Sequence, residues 1–137
     1  MGLIHLDTGV IIGFLDEDDA HHNAARAVLA EAVSNGDSLA MAASAFAECL
    51  VGPARRGDVA IRRVRDLIQR LPISITPLDE EIAVAASRLR AAHPTLRLPD
   101  ALVIATAISA EADLLLTTDR KWPTAKALKM KPTLKHI

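Results

Sequence analysis

The chain has few aromatic residues and almost no cysteine, and both shortages exclude particular kinds of site. Its 137 residues include two Phe, one Trp and no Tyr, too few for the aromatic platforms on which single-strand nucleic-acid binders stack bases. The single cysteine, Cys49, rules out an internal disulfide and a zinc site built on several thiolates. A nucleic-acid function would therefore rest on charge, and a metal site on oxygen ligands.

Long apolar runs are also missing. No uncharged stretch is longer than residues 101–110, which are about half of the roughly 20 residues that span a bilayer. The first residues have no basic segment followed by a cleavage pattern, as a signal peptide would. These absences predict a cytoplasmic protein that does not enter a membrane. The length predicts one domain, residues 1–137, large enough for a real core.

Charge is balanced overall but divided unevenly along the chain. The net charge is −1, yet residues 1–50 contain eight acids and one base, whereas residues 51–137 contain nine acids and fifteen bases. From residue 120 onward there are six bases and no acid. An acidic half beside a basic half suits a metal site next to a phosphate-binding surface. Solvated helix faces and a basic tail would give the same pattern.

Short apolar strands alternate with helical patterns along the sequence. This order predicts an α/β fold, a parallel sheet covered by helices on both faces. Ser44 is placed to cap a helix through Leu50, and Gly52-Pro53 should interrupt it. The predicted strands are residues 3–7, 38–43, 73–76, 113–118 and 133–137, and the other predicted helices are residues 21–35 and 61–71 and those that open at Asp79 and Pro99.

Four acids follow or begin these elements in a way that brings them together. Asp7 and Asp119 end two strands, Asp100 opens a helix, and Glu48 lies early in the helix after the second strand. The carboxyl ends of parallel strands meet at one edge of a sheet, where ligands bind. Carboxylates crowded there would repel one another unless cations were present. Oxygen-only ligands favour Mg²⁺ or Mn²⁺ over Zn²⁺.

Each acid alone has a plainer explanation. Asp100 could complement the helix dipole, Asp7 and Asp119 could form turns, and Glu48 could point outward. A phosphotransfer domain that uses Asp7 as nucleophile is disfavoured, because Thr8-Gly9-Val10 follows where such sites keep a second acid. The sequence has no Gly-rich phosphate loop and no nucleophile elbow.

Five segments in this order resemble the PIN-domain ribonucleases: LIHLDTGVIIGFL, AFAECLVGPARRG, LDEEIAVAASRLRA, LPDALVIATAI and LLLTTDRKW. The length and the ECLVGPARRG segment are most similar to VapC-type toxins of type II toxin–antitoxin systems. The resemblance implies a PIN-like, Rossmann-like three-layer α/β/α sandwich and metal-dependent endonucleolytic cleavage of RNA, with a metal-activated water attacking the phosphodiester. It also implies a homodimer and a small antitoxin that wraps the helices near residues 44–71.

By position, Asp7, Glu48, Asp100 and Asp119 match the four acids of the family's catalytic site. The resemblance implies that Asp7, Asp100 and Asp119 bind Mg²⁺ or Mn²⁺, Asp7 and Asp100 most directly. It also implies that Glu48 and Asp119 more often act through bound water or at a second ion. The hydroxyls that match pocket-lining positions are those of Thr8 and Thr118. Family members often carry Asn and Phe where this chain has Thr118 and Trp122.

Two functions follow from these observations. The first is an endoribonuclease toxin whose RNA backbone contacts come from bases of the second half, namely Arg55, Arg56, Arg120 and Lys121. The alternative is a non-catalytic PIN-like RNA-binding or adaptor module. The four acids count against the alternative, because a phosphate binder gains nothing from concentrated negative charge.

Overall fold

Five strands and seven helices follow one another in the computed structural model, which describes every residue from 1 to 137. The strands are β1 (Leu3–Leu6), β2 (Ser38–Ala42), β3 (Ile73–Thr76), β4 (Leu114–Thr117) and β5 (Thr133–His136). The helices are α1 (Thr8–Leu15), α2 (His22–Ser34), α3 (Ala43–Arg56), α4 (Asp58–Arg70), α5 (Glu80–Ala92), α6 (Leu98–Ser109) and α7 (Ala125–Leu128).

All five strands are parallel and lie in the order β3-β2-β1-β4-β5. The chain builds the sheet outward from β1 to β3 and then crosses back to add β4 and β5 on the other side. Crossovers between parallel strands are right-handed, so this reversal directs the chain after β1 and after β4 to opposite faces. The gap that opens between such neighbours is where ligands bind in α/β sheets.

Helices cover both faces of the sheet, which confirms the predicted α/β/α sandwich. Helix α1 contacts α2 and α3, and α3 contacts α4, whereas α5 contacts α6. Helix α6 lies deep in the fold, since Ala101, Ile104 and Ala107 on it are completely buried. None of the seven helices has the length and hydrophobicity needed to cross a membrane.

Two local predictions were wrong, and one helix was not predicted. Helix α1 follows β1 directly, with Asp7 as its N-cap. Helix α3 continues through Gly52-Pro53 to Arg56, because the buried Pro53 packs well enough to offset the backbone hydrogen bond that a proline cannot donate. Ser44 does not cap α3: β2 runs straight into the helix, Ala42 occupies the N-cap position, and the Ser44 hydroxyl is buried without a partner.

Candidate active site

Asp7 lies at the gap between β1 and β4 and is held there on both sides. It is the N-cap of α1, and its Oδ1 accepts a hydrogen bond of 2.8 Å from the Thr8 backbone N–H. Its Oδ2 accepts another of 2.8 Å from the Thr117 hydroxyl, and its own backbone N–H donates to the Leu116 carbonyl. Only 6% of the residue is exposed, so this carboxylate is buried and rigidly oriented.

Thr117 connects two of the predicted acids and was missed by the sequence analysis. Its side chain is fully buried; the hydroxyl donates to Asp7 and accepts a 3.0 Å hydrogen bond from the Asp119 backbone N–H. Asp119 in turn accepts from the Lys121 backbone N–H. The available signal was a single polar residue at the end of the apolar strand β4, but only the register of β4 beside β1 shows what its hydroxyl meets.

The two predicted pocket hydroxyls have different surroundings. Thr8 contributes its backbone N–H to Asp7, and its hydroxyl makes no hydrogen bond within the protein. Thr118 packs against the start of α1, since a Cβ at Gly9 would clash with the Thr118 Oγ1. Gly9 is therefore what lets α1 approach the end of β4.

Asp100 reaches the same region from the first turn of α6. Its partly buried carboxylate lies 3.6 Å from the Arg97 Nε. The indole of Trp122 also lies near Asp100. The Trp122 Nε1–H is buried and has no hydrogen-bond partner, so an unused donor lies near this acid.

Glu48 approaches from the exposed side of α3. It lines a cavity of about 610 Å³ between α1, α3 and α4, together with Arg56, Arg63 and apolar side chains of the three helices. The charge of Glu48 raises the pKa of both Asp7 and Asp100. Glu48 therefore interacts electrostatically with Asp7 and Asp100 and also lines this open cavity.

The four acids are electrostatically coupled. The pKa of Asp7 is raised to about 6: burial is the largest cause, the hydrogen bonds from Thr117 and Thr8 oppose it, and the charges of Asp100 and Glu48 add to it. Burial also raises the pKa of Asp100, as do Asp119 and Glu48, whereas Arg97 lowers it. Asp100, Glu48 and Asp119 therefore each make the ionisation of a neighbouring acid harder, as crowded carboxylates do.

A hard divalent cation fits this donor set. The ligands on offer are carboxylates, and neither Asp7, Glu48 nor Asp119 has a Lys or Arg partner at ion-pair distance. Cys49 is no competing ligand, because burial, then Glu48 and Asp7, raise the pKa of its thiol to about 12. No three His, Cys, Asp or Glu side chains already have the geometry of a metal site. The acids are close enough to interact but do not form a finished ligand cage.

The predicted RNA-contacting bases flank these acids on two sides. Arg55 and Arg56 are exposed in the last turn of α3. Arg120 and Lys121 are exposed directly after Asp119. All four side chains are free of carboxylate partners, so their charges are available to a ligand.

Several solved structures share this fold. The chain is similar to VapBC2 from Rickettsia felis bound to a DNA fragment from the promoter (TM-score 0.76, 16% identity, 98% of each chain covered). It is also similar to VapBC-1 from nontypeable Haemophilus influenzae (TM-score 0.73, 20% identity, 98% of this chain and 97% of that chain). A third is Mycobacterium tuberculosis VapC20, a sarcin–ricin loop cleaving toxin (TM-score 0.69, 15% identity, 86% and 91%).

Sequence comparison assigns the family. A search of curated proteins finds no match, whereas the family model described as the PIN domain matches residues 4–128. That range includes all four acids, Thr117 and Trp122. The chain belongs to the PIN domain family.

Proposed function

We propose that this protein is a metal-dependent endoribonuclease that acts as the toxin of a toxin–antitoxin pair. The observation that supports the proposal is the electrostatic coupling of Asp7, Glu48, Asp100 and Asp119 around the end of β1, where Asp7 is buried without a Lys or Arg partner. Such an arrangement raises the free energy of the folded protein. A binding site for a divalent cation accounts for its presence.

In this proposal Asp7, Asp100 and Asp119 hold Mg²⁺ or Mn²⁺, and Glu48 acts through water or at a second ion. When bound, such an ion supplies a nucleophilic water at neutral pH and neutralises charge on a phosphodiester. The hydrogen bonds from Thr8 and Thr117 fix both oxygens of Asp7, so this ligand needs little reorganisation when the ion arrives.

The same site can receive an RNA backbone because exposed bases flank it. Arg55 and Arg56 extend from the end of α3 next to the cavity that Glu48 lines, and Arg120 and Lys121 follow Asp119. Contacts of this kind position a backbone without reading its sequence. The identity of the target RNA would then depend on the shape of the surrounding surface.

An antitoxin partner is supported by the VapBC structures that share the fold. The cavity between α1, α3 and α4 is the surface we propose for it. Its apolar lining includes Ile12, Val64 and Leu67, with Arg56 and Arg63 among the lining charges. Ile12 and Leu67 are each more than a third exposed, as is typical of a surface that a partner covers. A homodimer, which the family resemblance implies, is testable by sedimentation.

The direct test is cleavage of total cellular RNA by the purified protein with Mg²⁺, with Mn²⁺ and with EDTA. Asp7→Asn and Asp100→Asn should each lower the rate by at least about 100-fold, since both remove a metal ligand. Asp66→Asn, an exposed acid on α4 without a hydrogen-bond or ion-pair partner, is the matched control and should cleave normally. Addition of the candidate antitoxin from the neighbouring reading frame should suppress cleavage.

The outcomes separate the two functions. Discrete fragments that need both the metal and the two carboxylates support the nuclease. Cation binding and RNA binding without cleavage would support a non-catalytic RNA-binding or adaptor module instead. Cleavage that survives EDTA and both substitutions would contradict the proposed site.

A further inference from the structure

Arg97 is the only one of the sixteen Lys and Arg side chains that pairs with a carboxylate, and its partner is Asp100. The other close pair joins His21 to Asp19, far along the chain from the site. The chain has seventeen acids and sixteen bases. That the one ion pair of a Lys or Arg involves a candidate metal ligand, Asp100, needs an explanation. The remaining bases are left free on the surface.

The contact between Arg97 and Asp100 is loose. Its length is 3.6 Å, it involves Nε rather than both ends of the guanidinium, and the Arg97 side chain is 72% exposed. Exposed pairs of this kind contribute little to stability. Arg97 is also the N-cap residue of α6, but its side chain forms no capping hydrogen bond; only its backbone carbonyl is used, by the Ala101 N–H.

A cation at Asp100 would compete with Arg97 for the same oxygens. Two positive groups beside one carboxylate repel each other, and the mobile, solvent-exposed group is the one that can leave. The released guanidinium would remain on the first turn of α6, beside the site. Its planar set of donors suits bidentate contact with a phosphate.

We propose that Arg97 is a substrate-binding residue that exchanges partners. It pairs with Asp100 when no cation is bound, and it contacts a phosphate of the RNA backbone when a divalent cation occupies Asp100. The inference rests on the proposed nuclease function and adds a residue to it. It assigns Arg97 two opposite effects: its charge opposes binding of the metal and favours binding of the RNA.

The experiment compares Arg97→Gln and Arg97→Lys with wild type. Binding of Mn²⁺ alone is measured by electron paramagnetic resonance on RNA-free protein. KM and kcat are measured on a labelled RNA that spans a site cut in total cellular RNA. Arg90→Gln is the matched control, because Arg90 is an exposed arginine at the end of α5 without a carboxylate partner.

Arg97→Gln should bind Mn²⁺ more tightly, by roughly two- to five-fold, the range that a weak exposed ion pair represents. Its KM should rise by roughly 10-fold to 100-fold, as expected for loss of a charge-assisted hydrogen bond, with a smaller effect on kcat. Arg97→Lys should keep the wild-type Mn²⁺ affinity and raise KM only in part. Arg90→Gln should change neither quantity.

In Arg97→Gln the affinity for Mn²⁺ should rise while the affinity for RNA falls. A purely structural role of Arg97 would instead weaken both. An Arg97→Gln protein that binds Mn²⁺ no more tightly than wild type, or that keeps the wild-type KM, overturns the proposal. A wild-type protein that neither binds Mn²⁺ nor cleaves RNA overturns the proposed function itself, and the two failures are therefore separable. Thermal unfolding of each variant without metal verifies that it is folded.

Discussion

At the scale of single residues, Thr117 positions two of the four acids. One hydroxyl fixes the Oδ2 of Asp7 and the backbone of Asp119 at once. It is completely buried, so removal of the hydroxyl would leave the buried Asp7 Oδ2 without this partner. The position of the two acids relative to each other thus depends on one side chain between them.

Thr117→Val should lower the free energy of unfolding by about 1–3 kcal/mol, because it leaves buried polar groups without partners. It should also raise the pKa of Asp7 further, since the Thr117 hydrogen bond lowers it. Thr106→Val is the control, because the Thr106 hydroxyl is equally buried but bonds only to the Leu102 carbonyl of its own helix. Denaturant unfolding that finds Thr117→Val no more damaging than Thr106→Val would contradict this role.

Some of these residues could be predicted from the sequence and others could not. Asp7, Asp100 and Asp119 adjoin apolar segments, and an acid in that position needs a reason that the fold then supplies. Thr117, Arg97 and Trp122 give no comparable signal, because their roles depend on what lies across a strand pair or a loop. The metal-ligand and RNA-contact assignments remain predictions.

At the scale of elements, helix α1 determines the surroundings of Asp7 at the end of β1. It begins immediately after Asp7, which makes this acid an N-cap and places it in the positive field of the helix N-terminus. The sequence does not reveal this helix, because the segment lacks a polar face that would show a helical period. Val10, Ile11 and Gly13 are all buried. The strands were predicted more reliably, since each is a short apolar run between polar segments.

Gly9→Ala tests how closely α1 must approach β4. Alanine normally stabilises a helix interior relative to glycine by about 1 kcal/mol. At Gly9 the new Cβ would clash with the Thr118 hydroxyl, so the change should lower the melting temperature instead. Gly52→Ala on α3, where the added atom meets no atom of another element within 4 Å, should be tolerated better than Gly9→Ala.

Removal of the obstructing side chain supplies the second arm of this test. Gly9→Ala combined with Thr118→Ala should recover most of the stability that Gly9→Ala alone loses, because the two positions are in contact. Equal stabilisation by Gly9→Ala and Gly52→Ala would show that α1 and β4 are not tightly apposed at this point.

At the scale of the whole molecule, the acids give the metal-free protein a characteristic pH dependence. The pKa of Asp7 is raised from 3.8 to about 6, so between about pH 4 and pH 6 the folded state holds more protons than the unfolded state. The free energy of unfolding therefore falls as the pH rises through this window, by about 3 kcal/mol for Asp7 alone. Asp100, whose pKa is also raised, acts in the same direction.

His5 opposes this trend from the same strand. Its ring is buried without hydrogen-bond partners, and burial lowers its pKa from 6.5 to about 4. The unfolded state therefore holds more protons than the folded state between those values, and this contribution to stability rises with pH. With both groups present, the pH dependence should be shallow, and a cation that binds only ionised carboxylates should change it.

The most direct test of the metal site is the free energy of unfolding with and without excess Mg²⁺ or Mn²⁺, measured near pH 4 and near pH 7.5. A cation held by Asp7, Asp100 and Asp119 should stabilise the protein by about 2–3 kcal/mol near pH 7.5, at about 100 times its dissociation constant. It should have little effect near pH 4, where the raised pKa keeps Asp7 protonated. Asp7→Asn should lose the stabilisation and Asp66→Asn should keep it. Stabilisation of equal size at both pH values, or undiminished in Asp7→Asn, would contradict a cation site at these acids.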